Sequence, residues 1–132
     1  MTLVVADTGV VSFLFKNDSR AQHYLPWMRN RDLLISFMTE AELEQWVLLA
    51  KWGADRARRF RTFMTGFASV PSSRDPILQW AGIMVAAREN GRCIDAADAW
   101  IAATALLSDA ALITRNPTDY AGVPNLRILS CS

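Results

Sequence analysis

The stretch Leu3-Val4-Val5-Ala6-Asp7-Thr8-Gly9 decides how the rest of the sequence is read. Four apolar residues in a row show no alternation, which is the pattern of a strand buried on both faces of a parallel sheet. Asp-Thr-Gly breaks the run, and Val10–Phe15 reads as a short helix. Working outward, Leu33–Phe37 and Ala111–Thr114 repeat the short apolar run, Leu126–Leu129 adds a candidate fourth strand, and Val70 suggests a brief edge strand before Pro71-Ser72-Ser73. Helices are expected over Ala21–Arg29, where Pro26 is an awkward interior residue, and over Leu43–Trp52, ended by Gly53. Further helices are expected over Ala54–Phe67, Asp75–Asn90 with Gly91 as its cap, and Ala97–Leu107. Short buried strands alternating with helices mean βαβ units, hence an α/β fold with a parallel sheet and helices on both faces. With no repeat or linker in sight, residues 1–132 read as a single domain.

Composition narrows the field. The net charge of +1 gives no global pull toward nucleic acid, so any such contact must come from local patches. A hydrophobic content of 52% with five Trp and six Phe suggests a core covered on both faces, or apolar surface kept for a partner. Cys93 and Cys131 match neither a metal spacing nor a disulfide framework. The apolar N-terminus is interrupted by Asp7 and lacks a basic leader, and no apolar run approaches the roughly 20 residues that span a bilayer. The expectation is a cytoplasmic protein with no membrane association.

The acids carry the chemistry. Asp7 directly follows the first strand, Glu42 lies just after the second, and Asn116 and Asp119 follow Ala111–Thr114; Asp98 opens the Ala-rich helix. In an open α/β sheet the carboxyl ends of the strands and the starts of the following helices share one edge, where ligands bind. Acids from distant segments therefore converge, and a bound divalent cation is the usual relief for such crowding. Oxygen-only donors favour Mg²⁺ or Mn²⁺ over zinc.

Each acid also has an ordinary structural reading. Thr39-x-x-Glu42 fits a capping box. Asp95 fits a cap for the helix beginning near Ala96, with Asp98 in its first turn. Asp7 fits a turn after a strand, and Asn116–Asp119 an Asx turn. Their coincidence at one sheet edge favours the site. Rival carboxylate chemistries fit less well: a dehalogenase-like phosphatase wants a second Asp at position 9, which is Gly, and a receiver domain wants an acidic pair ending the first strand. No phosphate-binding Gly-rich loop is present, and the single histidine, His23, falls in an expected surface helix, which argues against His-based triads.

Taken in order, Asp7-Thr8 after a hydrophobic strand, the segment ISFMTEAEL (residues 35–43), DAWIAATA (98–105) and LITRNPTDY (112–120) resemble the motifs of PIN-domain ribonucleases of the VapC toxin type. The resemblance spans essentially the whole chain, with the last two segments the most specific. It implies a three-layer α/β/α fold with a central parallel sheet and Mg²⁺-dependent endoribonuclease activity on an RNA substrate. It also implies inhibition by a cognate antitoxin and a homodimer. By motif position Asp7, Glu42 and Asp98 resemble the core acidic triad and Asp119 the fourth acid. Asn116 stands where many relatives carry an acid, and so is expected to position water or RNA. Thr8 and Thr39 resemble the polar residues that orient carboxylates.

Arg115 is a candidate phosphate contact or a plain solvated arginine. The helix Ala54–Phe67, with Trp46 and Trp52 nearby, reads either as a groove and basic face for an antitoxin or RNA, or as core aromatics under solvated arginines. Two alternatives to a toxin remain open: an RNA-processing nuclease of the same fold without an antitoxin, and a catalytically inactive binding module.

Overall fold

The computed structural model describes residues 3–130; Cys131 lies outside them. The chain runs β1 (Leu3–Ala6), α1 (Thr8–Phe15), a 3-10 turn (Ser19–His23), α2 (Leu25–Met28), β2 (Asp32–Ser36), α3 (Phe37–Leu49), α4 (Ala54–Met64) and β3 (Ala68–Val70). It continues through α5 (Arg74–Glu89), α6 (Ala96–Leu107), β4 (Ala111–Ile113), a second 3-10 turn (Pro117–Tyr120) and β5 (Ile128–Leu129). The five strands form one sheet in the order β3-β2-β1-β4-β5, every pairing parallel.

The continuous apolar run of β1 is explained by its place at the centre. Val4 and Ala6 pack into one core with Val10, Val11 and Phe13 of α1, Leu43 and Val47 of α3, and Phe60 of α4. Val5 points the other way, into a second core with Ile83 and Ala87 of α5 and Ala99, Ala102, Ala103 and Ala105 of α6. A strand has a side-chain period of two, so an apolar residue at every position requires a layer on each face. The result is the three-layer α/β/α architecture.

The expected elements are present, with instructive shifts at their ends. Tyr24 divides the expected Ala21–Arg29 helix into the 3-10 turn and α2, and Pro26 falls in the first turn of α2, where its missing N–H costs nothing. α3 begins at Phe37, and its cap is Ser36, whose Oγ accepts from the backbone N of Thr39 at 3.0 Å. Thr39 is thus inside the first turn, and the capping-box reading of Thr39-x-x-Glu42 is incorrect. Gly53 does not end α3. Lys51 adopts the left-handed conformation after it, at φ 54°, and Gly53 instead precedes α4. Gly91, at φ 70°, follows α5 as expected of a helix-ending glycine.

The aromatic neighbourhood of α4 is core. Phe15, Trp46, Trp52, Phe60 and Phe63 form one cluster, with ring centroids of contacting pairs 4.6–6.3 Å apart. The helix's arginines lie over its outer side: Arg56 sits 4.3 Å from the Trp52 ring, Arg58 pairs with Asp55, and Arg61 pairs with Glu44. An apolar groove of about 430 Å³ does exist nearby, lined by Leu14, Leu25, Met28, Leu33, Phe63 and Phe67, so Trp46 and Trp52 are not its walls. Among the described residues no helix is long and apolar enough to cross a membrane. Cys93 is a free, exposed thiol.

Candidate active site at the carboxyl edge of the sheet

β1, β2 and β4 deliver their carboxyl ends side by side, and the sequence-predicted acids meet there. Asp7, Glu42, Asp98 and Asp119 line one cleft of about 180 Å³, together with Thr8, Arg115 and Asn116. The cleft also has two apolar walls that the acids did not announce, Phe13 and Ile101.

Asp7 is held from two sides. It caps α1, with Oδ1 accepting from the backbone N of Val10 at 3.0 Å, while Oδ2 accepts a short hydrogen bond from the hydroxyl of Thr114. Thr114 is fully buried at the end of β4 and in turn accepts from the backbone N of Asn116 at 3.1 Å. Glu42, on the second turn of α3, is reached by a different line of hydroxyls. Thr8 Oγ1 lies 2.7 Å from Glu42 Oε1 and 3.0 Å from Thr39 Oγ1, and Ser36 Oγ lies 3.4 Å from Thr39 Oγ1. Each hydroxyl has one proton and the carboxylate only accepts. The order is therefore fixed: Ser36 donates to Thr39, Thr39 to Thr8, and Thr8 to Glu42.

Asp98 sits in the first turn of α6, with the phenol of Tyr120 donating to its Oδ1 at a long 3.5 Å. Asp95 occupies the cap position of that helix but its side chain makes no capping bond, so only the positional half of its expected role is realised. The Asx-turn reading of Asn116 is incorrect as well: its backbone carbonyl, not its side chain, receives the N–H of Asp119 at 3.1 Å.

The electrostatics are those of crowded acids that no ion pair among the described residues neutralises. Burial raises the Asp7 carboxyl above its ordinary value; the Thr114 and Val10 hydrogen bonds oppose this, and Asp119 and Glu42 add repulsion. Asp98 is pushed up to about 6, by burial first and then by Asp119, Asp95, Asp7 and Glu42. Tyr120 is driven well above the ordinary phenol range, by burial and then by the charges of Asp7, Asp98 and Asp119. The ion pairs among the described residues are Arg20–Asp18, Arg58–Asp55, Arg61–Glu44 and Arg127–Asp109, none of them in the cleft.

This donor set fits a hard divalent cation. Among the described residues no three acids close on one point as a finished cage. Mg²⁺ does not need one, since it retains several waters and takes one or two carboxylates together with substrate phosphate oxygens. The cleft, at about 180 Å³, leaves room for such a cation together with waters.

Thr114, Ser36 and Tyr120 were not singled out from the sequence. A signal existed for Thr114, because a hydroxyl that ends an otherwise apolar central strand is placed beside the strand carrying Asp7.

The sequence matches the PIN domain family model over residues 4–121, while a search of curated protein sequences finds no match. Among solved structures, the fold superimposes on VapBC2 from Rickettsia felis bound to a DNA fragment from its promoter, with a TM-score of 0.85 at 20% identity, covering 98% of this chain and 99% of that one. VapBC-1 from nontypeable Haemophilus influenzae gives 0.82 at 24% identity, covering 97% of each chain. A toxin–antitoxin complex from Klebsiella pneumoniae gives 0.76 at 25% identity, covering 96% of this chain and 95% of that one. With the family match extending from β1 through the turn that carries Asp119, the chain belongs to the PIN domain family.

Proposed function

We propose that this chain is a Mg²⁺- or Mn²⁺-dependent endoribonuclease and the toxin of a toxin–antitoxin pair. The observation that supports it most is the meeting of four acids from distant segments in one cleft, with burial and mutual repulsion raising Asp7 and Asp98. Asp7, Glu42 and Asp98 would hold the cation, with Asp119, exposed on its 3-10 turn, available to orient water or assist a second ion. When bound, the ion supplies positive charge to a phosphate oxygen and acidifies water for phosphodiester hydrolysis.

The remaining residues prepare the acids. Thr114 fixes the rotamer of Asp7, and Thr8, backed by Thr39 and Ser36, aims Glu42. Asn116 is neutral and exposed at the rim, suited to hydrogen-bond water or RNA rather than to hold the ion. The toxin assignment draws on the structural neighbours, two of them named VapBC and one described as a toxin–antitoxin complex. It brings with it an antitoxin partner, a homodimer and a cytoplasmic site of action.

Sequencing of RNA ends after induced expression of the wild type and of Asp98→Asn tests this reading. New ends in the wild type that vanish in the variant support it; identical end profiles sink it. A small antitoxin gene beside this one would separate a toxin from a housekeeping nuclease.

A further inference from the structure

Beside the acidic cleft lies a group of cations that the hydrolytic chemistry leaves unused. Phe13, only 8% exposed, has Arg20 Cζ 4.0 Å, Arg115 Cζ 5.4 Å and Lys16 Nζ 5.9 Å from its ring centroid. Phe13 and Arg115 also line the cleft. The three cations are not equivalent. Arg20 is committed to Asp18, with Nε donating to Oδ1 at 2.9 Å and Nη2 to Oδ2 at 2.7 Å. Lys16 and Arg115 take part in none of the ion pairs among the described residues, and both are exposed. Lys16 Nζ additionally lies 5.4 Å from the Trp46 ring, so its ammonium sits over two aromatic faces and acts on Asp18 only at a distance, without an ion pair.

The arrangement separates charges that could have been joined. Two cations outside the ion pairs among the described residues gather around Phe13, one of them, Arg115, lining the cleft that holds four acids, and neither pairs with any of those acids. A polyanion completes it: one phosphate in the cleft with the cation, its neighbours on the basic side chains. Arg115 lines the same cleft as the acids, which favours the chain being cut over an acidic protein segment. A guanidinium also offers a planar fork that matches phosphate oxygens.

We propose that Arg115 and Lys16 form a phosphate-binding shelf for the single-stranded RNA flanking the bond to be cleaved, an assignment that rests on the nuclease reading above. Phe13 is too buried to stack on a base, so the shelf reads backbone charge and not sequence.

The test is the salt dependence of binding to fluorescent single-stranded RNA oligonucleotides of two unrelated sequences, with cleavage stopped by EDTA. Removing one cation that neutralises a phosphate of a single strand flattens the plot of log affinity against log salt by about 0.7. Lys16→Ala and Arg115→Ala are each expected to do so, the double variant by about 1.4, equally for both sequences. Arg127→Ala serves as the control, since Arg127 bonds Asp109 at the opposite edge, where β4 and β5 begin. An unchanged slope in the double variant, with wild-type cleavage in Mg²⁺ intact, overturns the shelf alone and leaves these cations to an acidic protein partner. A wild type that neither binds nor cuts RNA overturns both the shelf and the nuclease.

Discussion

Thr114, which ends the run of β4, donates its hydroxyl proton to Asp7, which follows β1, although the two are 107 residues apart. The parallel pairing of Ala6 with Ile113 puts the next residue of each strand at the same edge. One side chain thereby becomes an acid poised for a cation and the other its fixed orienting partner.

Replacing that partner isolates the effect. Thr114→Val keeps the shape but leaves a buried Asp7 oxygen without its donor, which costs about 1–3 kcal/mol. The bond removed is one that lowers the Asp7 pKa, so the carboxyl rises further and holds a cation less well. Urea denaturation and Mg²⁺ titration should both shift; a variant as stable and as tight as the wild type would show the bond to be idle.

The line of hydroxyls from Ser36 to Glu42 makes a separable prediction. Thr8→Val removes the donor that touches Glu42 and should weaken Mg²⁺ binding by about 10- to 100-fold, as outer-shell changes at metal sites do. Thr8→Ser, which restores a hydroxyl, should recover most of the loss. Equal affinities for the Val and Ser variants would remove Thr8 from the site.

The pH response has a definite sign. Asp98 titrates at about 6 in the folded chain against 3.8 ordinarily, so the folded state binds its proton more tightly. In metal-free buffer its contribution to stability is therefore greatest below about pH 4 and is lost as pH rises to about 6. Asp98→Asn removes this dependence and should raise the melting temperature at pH 7 in EDTA, while abolishing RNA cleavage. A variant that melts lower than the wild type at pH 7 would contradict the repulsion described here.

Metal should act as a stabiliser through the same acids. A ligand that binds only the folded state adds about 2.7 kcal/mol at 100 times its dissociation constant. Thermal melts with and without Mg²⁺ should differ in the wild type and coincide in Asp7→Asn. A shift that survives in Asp7→Asn would move the cation elsewhere.

The sheet edge and its acids were legible in the sequence because both follow from one topological rule. Apolar runs without alternation mark central parallel strands, and whatever follows them gathers at the carboxyl edge. The hydroxyls were harder to read. Ser36 is indistinguishable by composition from a strand residue, and the apolar pair Phe37-Met38 after it conceals the start of α3. Thr39 was legible as a polar partner of the acids, but the capping role that its spacing to Glu42 suggests belongs to Ser36, three residues earlier. Tyr120 could not be placed from the sequence, since its approach to Asp98 depends on how the second 3-10 turn folds back on α6. The aromatic content of α4 allowed both core and groove, and only packing around Phe60, at 1% exposure, separates them.

The site hangs from the middle of the sheet. β1 leads into Asp7, β2 into α3 with Glu42 and β4 into Thr114, while Asp98 rides on α6, which packs against these central strands; β3 and β5, only three and two residues long, close the edges. Edge strands open first when a protein breathes, and central ones open last. Fraying at either margin thus leaves the acids in register, and catalytic competence and global foldedness should disappear together on heating rather than one after the other.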